Sequence, residues 1–174
     1  SYTDRVLNAD SENESWLLHG RTYDESRFSP LKDINDSNVH ELGLSWSFET
    51  GTNRGHETTP IVVDGMMFIT APWSVVFALD AKTGKEIWSF DPKADKAWAR
   101  NACCDVVNRG VAVWENSVVF ATIDGRLISL DKLSGRVNWD VLTIDKSKPY
   151  TITGAPRIID GKIIIGNGGG ELGV

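Results

Sequence analysis

The sequence predicts an all-β protein, and within that class a partial β-propeller of about three four-stranded blades. Three observations lead there. Short β-branched runs recur along the chain and are broken by turn pairs. One tryptophan-bearing segment occurs twice in register. No stretch keeps helical spacing for three turns.

The runs are IVVDGMMFIT (61–70), SVVFALD (74–80), GVAVWENSVVFATIDGRLISLD (110–131) and PRIIDGKIIIGN (156–167). Asp64-Gly65, Glu115-Asn116, Asp124-Gly125 and Asp160-Gly161 interrupt them. Asp-Gly between β-branched runs marks a hairpin, because glycine accepts the positive φ of a type I′ turn. Short helices are expected near Asp4–Leu18 and over 37–43, the second capped by Ser37 or Asn38 and ended by Gly43.

The repeat organises the chain. ALDAKTGKEIWSF (78–90) aligns with SLDKLSGRVNWDV (129–141), and both read small-x-Asp-x-x-Thr/Ser-Gly-Lys/Arg-x-x-Trp. A strand ends at Asp80 or Asp131. The hydroxyl of Thr83 or Ser134 and the following glycine make the turn. A new strand then carries Trp88 or Trp139. A degraded copy ends at Trp46 in NVHELGLSWSF. Another hairpin lies upstream of each complete copy, so each unit has about four strands, the size of a propeller blade. A β-sandwich with ordinary core tryptophans is the plainer alternative. Residues 1–36 read as a lead-in segment and 37–174 as blades. Propellers typically close with about 4–8 blades, so 1–174 is expected to be the first part of a larger ring.

Composition bounds the function. The 174 residues are 41% hydrophobic, enough for a packed core, and Lys plus Arg is 18 against 24 Asp plus Glu. No basic block appears, so nucleic acid is not an expected partner. No apolar run is long enough to span a membrane as a helix. The opening SYTDRV carries no signal-peptide pattern and reads equally as a mature end or a cytosolic start.

Only two cysteines occur, and they are adjacent: Cys103 and Cys104, in NACCDVVNRG (101–110). Metal-binding pairs usually keep two to four residues between them, which these lack, and a redox Cys-x-x-Cys is likewise excluded. Two buried thiols or a disulfide between neighbours remain. The second would close almost no chain, adding little loop-entropy stability. It would present a rigid, flat, polarizable surface and need an oxidising compartment.

NACCDVVNRG resembles the adjacent-cysteine segment of the quinoprotein alcohol dehydrogenases, which carry pyrroloquinoline quinone (PQQ). The tryptophan repeats resemble that family's docking motif. GRTYDESRFSPL (20–31), RGHETTPIVVDGMMF (54–68) and TITGAPRIIDGKIIIGNGGGELG (151–173) resemble family segments, in the right order over nearly the whole chain. APWSVVFALD and KPYTITGAP look closer to the ethanol-type and heme-containing members than to methanol dehydrogenase.

The resemblance implies an eight-bladed propeller with PQQ and Ca²⁺ on its axis, a periplasmic location and alcohol oxidation to aldehydes or ketones. It assigns one face of the cofactor to a Cys103–Cys104 disulfide. Arg109 would offer a planar two-pronged donor to a carboxylate or quinone oxygen. Thr153 would donate its hydroxyl to a cofactor carboxylate, and Glu57 would hydrogen-bond the rim. Gly168, Gly169 and Gly170 let the backbone approach with no Cβ in the way, and their N–H groups are candidates to bind a carboxylate. Family members often carry a serine or alanine here, so a side-chain hydrogen bond at Gly168 is not expected. Glu171 is the implied Ca²⁺ ligand, since a hard cation takes carboxylate oxygen.

The implied reaction passes hydride from a small alcohol to the quinone, with Ca²⁺ as Lewis acid. The family's aspartate base and calcium-ligating asparagine have no counterpart in 1–174. The base is therefore expected beyond Val174, and Glu171 is not cast in that role. Electrons would pass to cytochrome c or an attached heme; this segment holds no Cys-x-x-Cys-His heme site. Two other readings stand beside this one. A noncatalytic tryptophan-repeat scaffold binding other proteins would account for the repeats, though not for Cys103-Cys104, Arg109 and Glu171. A quinoprotein sugar dehydrogenase would use the same cofactor. His19, His40 and His56 are too scattered for a metal site.

Overall fold

A computed structural model describes residues 1–169 of the chain. Ten strands form two four-stranded antiparallel meanders and one hairpin. The first sheet comprises β1 (Ile61–Val63), β2 (Met66–Ala71), β3 (Val75–Asp80) and β4 (Glu86–Phe90), in that order. The second comprises β5 (Ala112–Trp114), β6 (Ser117–Ala121), β7 (Arg126–Asp131) and β8 (Val137–Leu142). β9 (Arg157–Ile159) pairs with β10 (Lys162–Ile164). The leading strands β1, β5 and β9 neighbour one another, as the innermost strands of successive blades do.

The repeated motif folds the same way twice. Asp80 Oδ1 accepts from the Lys82 and Thr83 amides at 3.0 and 2.8 Å and from the Thr83 hydroxyl at 2.9 Å. Asp131 Oδ1 accepts from the Leu133 and Ser134 amides and the Ser134 hydroxyl at 3.2, 2.8 and 2.7 Å. These donors, the hydroxyl first, hold both carboxyls below the usual range. A register shift follows at the same place in each blade, between Ala78 and Leu79 and between Ser129 and Leu130.

The motif glycine then seats the preceding tryptophan. Gly84 and Gly135 take φ of 71° and 70°, and a Cβ there would meet the rings of Trp46 and Trp88 at 2.3 and 2.7 Å. Trp88 also donates its Nε1–H to the Lys132 carbonyl at 3.0 Å. The degraded copy at Trp46 therefore keeps its packing role, although no strand is assigned around it. Between the sheets, Ile61, Phe68, Val76 and Trp88 pack against Val113, Phe120, Ile128 and Leu130. Trp139 lies on the other face of the second sheet with Ile152 and Ile158. This blade-on-blade core is incompatible with the sandwich alternative.

Three local expectations are corrected. The first helix is only Tyr2–Leu7, capped by Ser1, with a separate 3₁₀ turn at Ala9–Ser11, in place of Asp4–Leu18. Asn8 Nδ2 donates to the Asp4 carbonyl at 2.8 Å and Ser11 Oγ to the Asn8 carbonyl at 2.7 Å, so short polar side chains compete for the helix's backbone groups. The 37–43 helix is a single 3₁₀ turn, Val39–Glu41, whose N-cap Asn38 makes no side-chain cap bond and which ends at Leu42 rather than Gly43. There Asn38 Oδ1 is taken by the Asn35 amide at 2.8 Å. Asp64-Gly65 and Asp160-Gly161 carry two positive φ values each, as type I′ turns require, but at Asp124-Gly125 only Gly125 does. That hairpin instead has a longer loop, closed by Thr122 N–H to Arg126 O at 2.8 Å.

The glycine seats generate a prediction. Gly135→Ala meets both a left-handed backbone and the Trp88 ring, and should destabilise the full-length protein by about 2–4 kcal/mol. Gly161 has φ of 72° but its Cβ would find nothing nearer than Trp114 Nε1 at 4.0 Å. Gly161→Ala should therefore cost only about 1–2 kcal/mol. Denaturant midpoints read the difference; equal losses would mean Gly135 is not a packing seat.

Candidate functional site

The chain runs into each innermost strand through a short leader, and the leaders hydrogen-bond to one another. Thr59 N–H donates to Arg109 O at 3.1 Å, and Arg109 N–H donates to Thr153 O at 2.8 Å. Gly110, at φ 123°, makes the approach possible, since a Cβ there would stand 3.0 Å from the Thr59 carbonyl oxygen. Side chains repeat the link. Arg109 Nη1 donates to Thr153 Oγ1 at 2.6 Å, and Arg109 Nη2 lies 3.1 Å from Glu57 Oε2. Arg109 and Glu57 are each nearly half exposed, at 48% and 44%, so the guanidinium is aligned by two partners while its face stays open.

The adjacent cysteines stand beside this pair. Their segment leaves the 3₁₀ helix Lys96–Asn101, which Asp95 caps by accepting from the Ala97 amide at 2.9 Å. Trp98 Nε1–H donates to the Tyr150 carbonyl at 2.7 Å, and Lys146 Nζ stands 3.8 Å from the Trp98 ring centroid. Trp73 packs with Ala94, Val106, Ile123, Ala99 and Ala102, and its backbone N–H donates to the Val106 carbonyl at 2.9 Å. Arg54 pairs with Asp105. Held from both sides, the Cys103 and Cys104 sulfurs meet at 2.05 Å, and both residues are exposed. Of the two readings open from sequence, buried thiols do not fit this position.

Cys103, Cys104, Arg109, Thr153, Gly168 and Gly169 line one cavity of about 210 Å³, completed by Asn101, Ala102 and Thr151 among others. Glu57 stands at its Arg109 edge through the ion pair. The glycine wall departs from expectation in one respect. Gly168 N–H is taken by the Thr151 carbonyl at 2.6 Å, so it is not available to a ligand carboxylate. Gly170 and Glu171 lie outside the described residues, and so does Val174, beyond which the base is expected. Among the described residues no cluster of three His, Cys, Asp or Glu side chains could hold a metal ion. His56 hydrogen-bonds Thr50 at 2.7 Å, apart from the cavity. The sequence reading missed Trp73, Trp98 and Asn108. Their signal is weak: Asn108 and Trp73 lie inside quoted segments and Trp98 just before one, but none occupies a position that points to a ligand.

Blades docked through tryptophan and glycine, and a cavity walled by adjacent cysteines, an arginine and glycines, define a quinoprotein propeller. The profile of the family described as PQQ glucose/ethanol/alcohol dehydrogenase, β-propeller domain, matches residues 16–171, and the chain belongs to that family. It is 54% identical over 171 residues to the quinohemoprotein alcohol dehydrogenase ADH-IIG of Pseudomonas putida, covering 98% of this chain and 24% of that protein. It is 54% identical over 160 residues to a 1-butanol dehydrogenase (cytochrome c) of Thauera butanivorans, covering 91% and 23%. The solved structure of ADHIIG from Pseudomonas putida HK5 superposes with a TM-score of 0.96 at 53% identity, over 98% of this chain and 25% of that one. A europium-containing methanol dehydrogenase superposes at 0.92 with 38% identity, over 98% and 30%. The chain thus spans about a quarter of the length of the curated relatives it matches.

The cysteine pair yields a direct test. Alkylation of the native full-length protein without reductant should leave Cys103 and Cys104 unmodified in an intact-mass measurement; modification of both would refute the pairing. Cys103→Ser should lower unfolding stability by only about 1 kcal/mol or less, because a bond between neighbours closes so little chain.

Proposed function

We propose that this chain is one part of a PQQ- and calcium-dependent alcohol dehydrogenase of the quinohemoprotein type. It would oxidise primary and secondary alcohols to aldehydes and ketones in the periplasm, and pass electrons to a cytochrome or an attached heme. The observation that carries the reading is the meeting, at one cavity, of the paired cysteines and an open guanidinium already aligned by Glu57 and Thr153.

The residues present fit a planar tricarboxylate. Cys103 and Cys104 offer a flat polarizable face. Arg109 offers a rigid fork of donors matched to a carboxylate or a quinone oxygen. Thr153 Oγ1 accepts from Arg109, which leaves its own proton to donate to an anion. Glu57 pairs with the guanidinium through Nη2 and leaves Nη1 to Thr153. Gly168 and Gly169 let a ring system approach backbone. When bound there, the cofactor supplies the hydride acceptor for alcohol oxidation, with Ca²⁺ as Lewis acid. The part of this chain is to bind and orient; the proton-abstracting base is not assigned to it.

Calcium enters the proposal through Glu171. Ca²⁺ takes about 6–8 oxygens, and one carboxylate supplies at most two, so further groups must complete the shell. The quinohemoprotein assignment is supported by 53% identity to ADHIIG against 38% to the methanol dehydrogenase. The periplasmic assignment is supported by the paired cysteines, which persist in oxidising compartments. No helix among the described residues is long and apolar enough to cross a membrane.

The test uses the complete protein with an artificial electron acceptor, across a Ca²⁺ titration, with alcohols and glucose as alternative substrates. Glu171→Gln should need at least about tenfold more Ca²⁺, equivalent to about 1.4 kcal/mol, with the circular dichroism spectrum unchanged. Arg109→Ala should weaken PQQ binding about 10–100-fold, the loss of hydrogen bonds from a charged donor. Unaltered Ca²⁺ dependence in Glu171→Gln would remove the calcium assignment. Oxidation of glucose but not of alcohols would move the protein to the sugar dehydrogenases.

A further inference from the structure

Glu57 and Arg109 stand on leaders of different blades, and both side chains are exposed. Their own ion pair is too open to water to fix how the two leaders lie side by side. A buried polar knot sits behind them. Thr70, on β2, is fully buried. Its N–H donates to Thr58 Oγ1 at 2.9 Å. Its hydroxyl oxygen lies 3.0 Å from Thr58 Oγ1 and 3.2 Å from the Asn108 carbonyl oxygen. Thr58 follows Glu57 and Asn108 precedes Arg109, so one side chain ties together the two peptides that carry the pair.

Asn108 extends the tie inward. It is 2% exposed; its Nδ2 donates to the Ala121 carbonyl at 2.9 Å and its Oδ1 accepts from the Gly110 amide at 3.0 Å. Arg109 is thereby bracketed, with the residue before it anchored to β6 and the residue after it held to the same side chain. The strand neighbours of Thr70 inside the blade are apolar, with Phe68, Ala71 and Val76 all buried. A valine would suit such a position as well in shape. A hydroxyl there costs free energy unless it is hydrogen-bonded, and here its partners are the two site-bearing leaders.

We propose that Thr70 is a positioning residue: its hydroxyl sets the register between the Glu57 leader and the Arg109 leader, and so the direction in which the guanidinium meets an anionic ligand. The identity of that anion rests on the cofactor reading above; the register does not.

The experiment compares Thr70→Val and Thr70→Ser in the full-length protein freed of cofactor. It has three readouts: thermal unfolding, hydrogen exchange in peptides containing Thr59 and Arg109, and PQQ affinity by fluorescence titration at fixed Ca²⁺. Valine keeps the volume and loses the hydroxyl. It should speed exchange at both peptides and weaken PQQ binding, each about tenfold, the loss expected from one buried hydrogen bond. Serine keeps the hydroxyl and loses a methyl, so its melting temperature should fall while exchange at those peptides and PQQ affinity stay near wild type. In an Arg109→Ala background, Thr70→Val should weaken PQQ binding no further. Three results overturn the proposal: unchanged exchange in Thr70→Val, affinity that simply tracks melting temperature in both variants, or full additivity with Arg109→Ala. If the wild-type protein binds no PQQ, the cofactor reading falls and the exchange pattern alone decides the register claim. Should Thr70→Val not fold, Thr58→Val, at a half-buried position, breaks the same link. It is expected to speed exchange at the Arg109 peptide, and unchanged exchange there would overturn the proposal.

Discussion

Trp88 joins two blades by its ring and its N–H together. The ring fills a seat that exists because Gly135 has no side chain. The Nε1–H reaches the Lys132 carbonyl at the start of the same turn. Burial of an aromatic of this size supplies a large apolar contribution, but apolar contact alone would let one sheet slide over the next. The hydrogen bond to a turn that Asp131 has already folded removes that freedom. Lys132 extends the contact to the inner side, where its Nζ meets Asp64 at 2.9 Å, and Asp64 also receives Arg5. The lead-in helix, the first hairpin and the second blade's turn are thus held in one arrangement, and Leu17 and Val6 join the same core.

Fixing blade against blade fixes the leaders of the innermost strands, and the candidate site is built on those leaders. Glu57 precedes β1, Arg109 precedes β5 and Thr153 precedes β9. Each blade contributes one side chain from its leader, and the leaders are laddered by Thr59–Arg109 and Arg109–Thr153 backbone bonds. The repeat therefore does two jobs. Its outer half docks the blades, and its inner half sets functional groups around an axis at the spacing of adjacent strands. A group spread over three distant segments becomes a single surface without long connecting loops.

This division explains what could be read from the sequence. Docking uses side chains with strong local signatures: an Asp that caps a turn, a Thr or Ser beside it, a Gly at positive φ and a Trp further on. Those leave a pattern in a one-dimensional string, and even the degraded copy was betrayed by Trp46. The hairpins at Asp64-Gly65 and Asp160-Gly161 were legible for the same reason, since their conformation is set within two residues. Asp124-Gly125 carries the same dipeptide, yet Thr122 closes a longer loop around it, a choice made by neighbours outside the pair. Over 8–11 and 35–38, Asn and Ser side chains capture backbone groups that helix hydrogen bonds would otherwise use, which pattern alone does not weigh. Arg109, Thr153 and Glu57 stand out only through the family resemblance of their segments, and Thr70 gives no signal at all. A threonine in a buried strand looks like ordinary β propensity until its tertiary partners are known.

The cysteine pair is best understood by what it does not do. A disulfide between distant residues stabilises by restricting the unfolded chain, and this one restricts almost nothing. Nor do the sulfurs fill the core, since both residues are exposed. The structure nevertheless invests in their placement: Trp73 with Ala99 and Ala102 supports the segment from beneath, while Trp98 ties the approach to it onto Tyr150. Two aromatic anchors around an exposed, nonpolar, rigid surface make sense where a flat partner is to lie against it, since polarizable sulfur gains contact energy from a ring system that water does not provide. Under the proposed cofactor reading, Arg109 at the edge would supply direction, because a stacked ligand without a charged handle could rotate in its plane. The cysteines and Arg109 come from positions only a few residues apart in NACCDVVNRG, and the bracket that Asn108 forms around Arg109 holds the arginine end of that segment to β6.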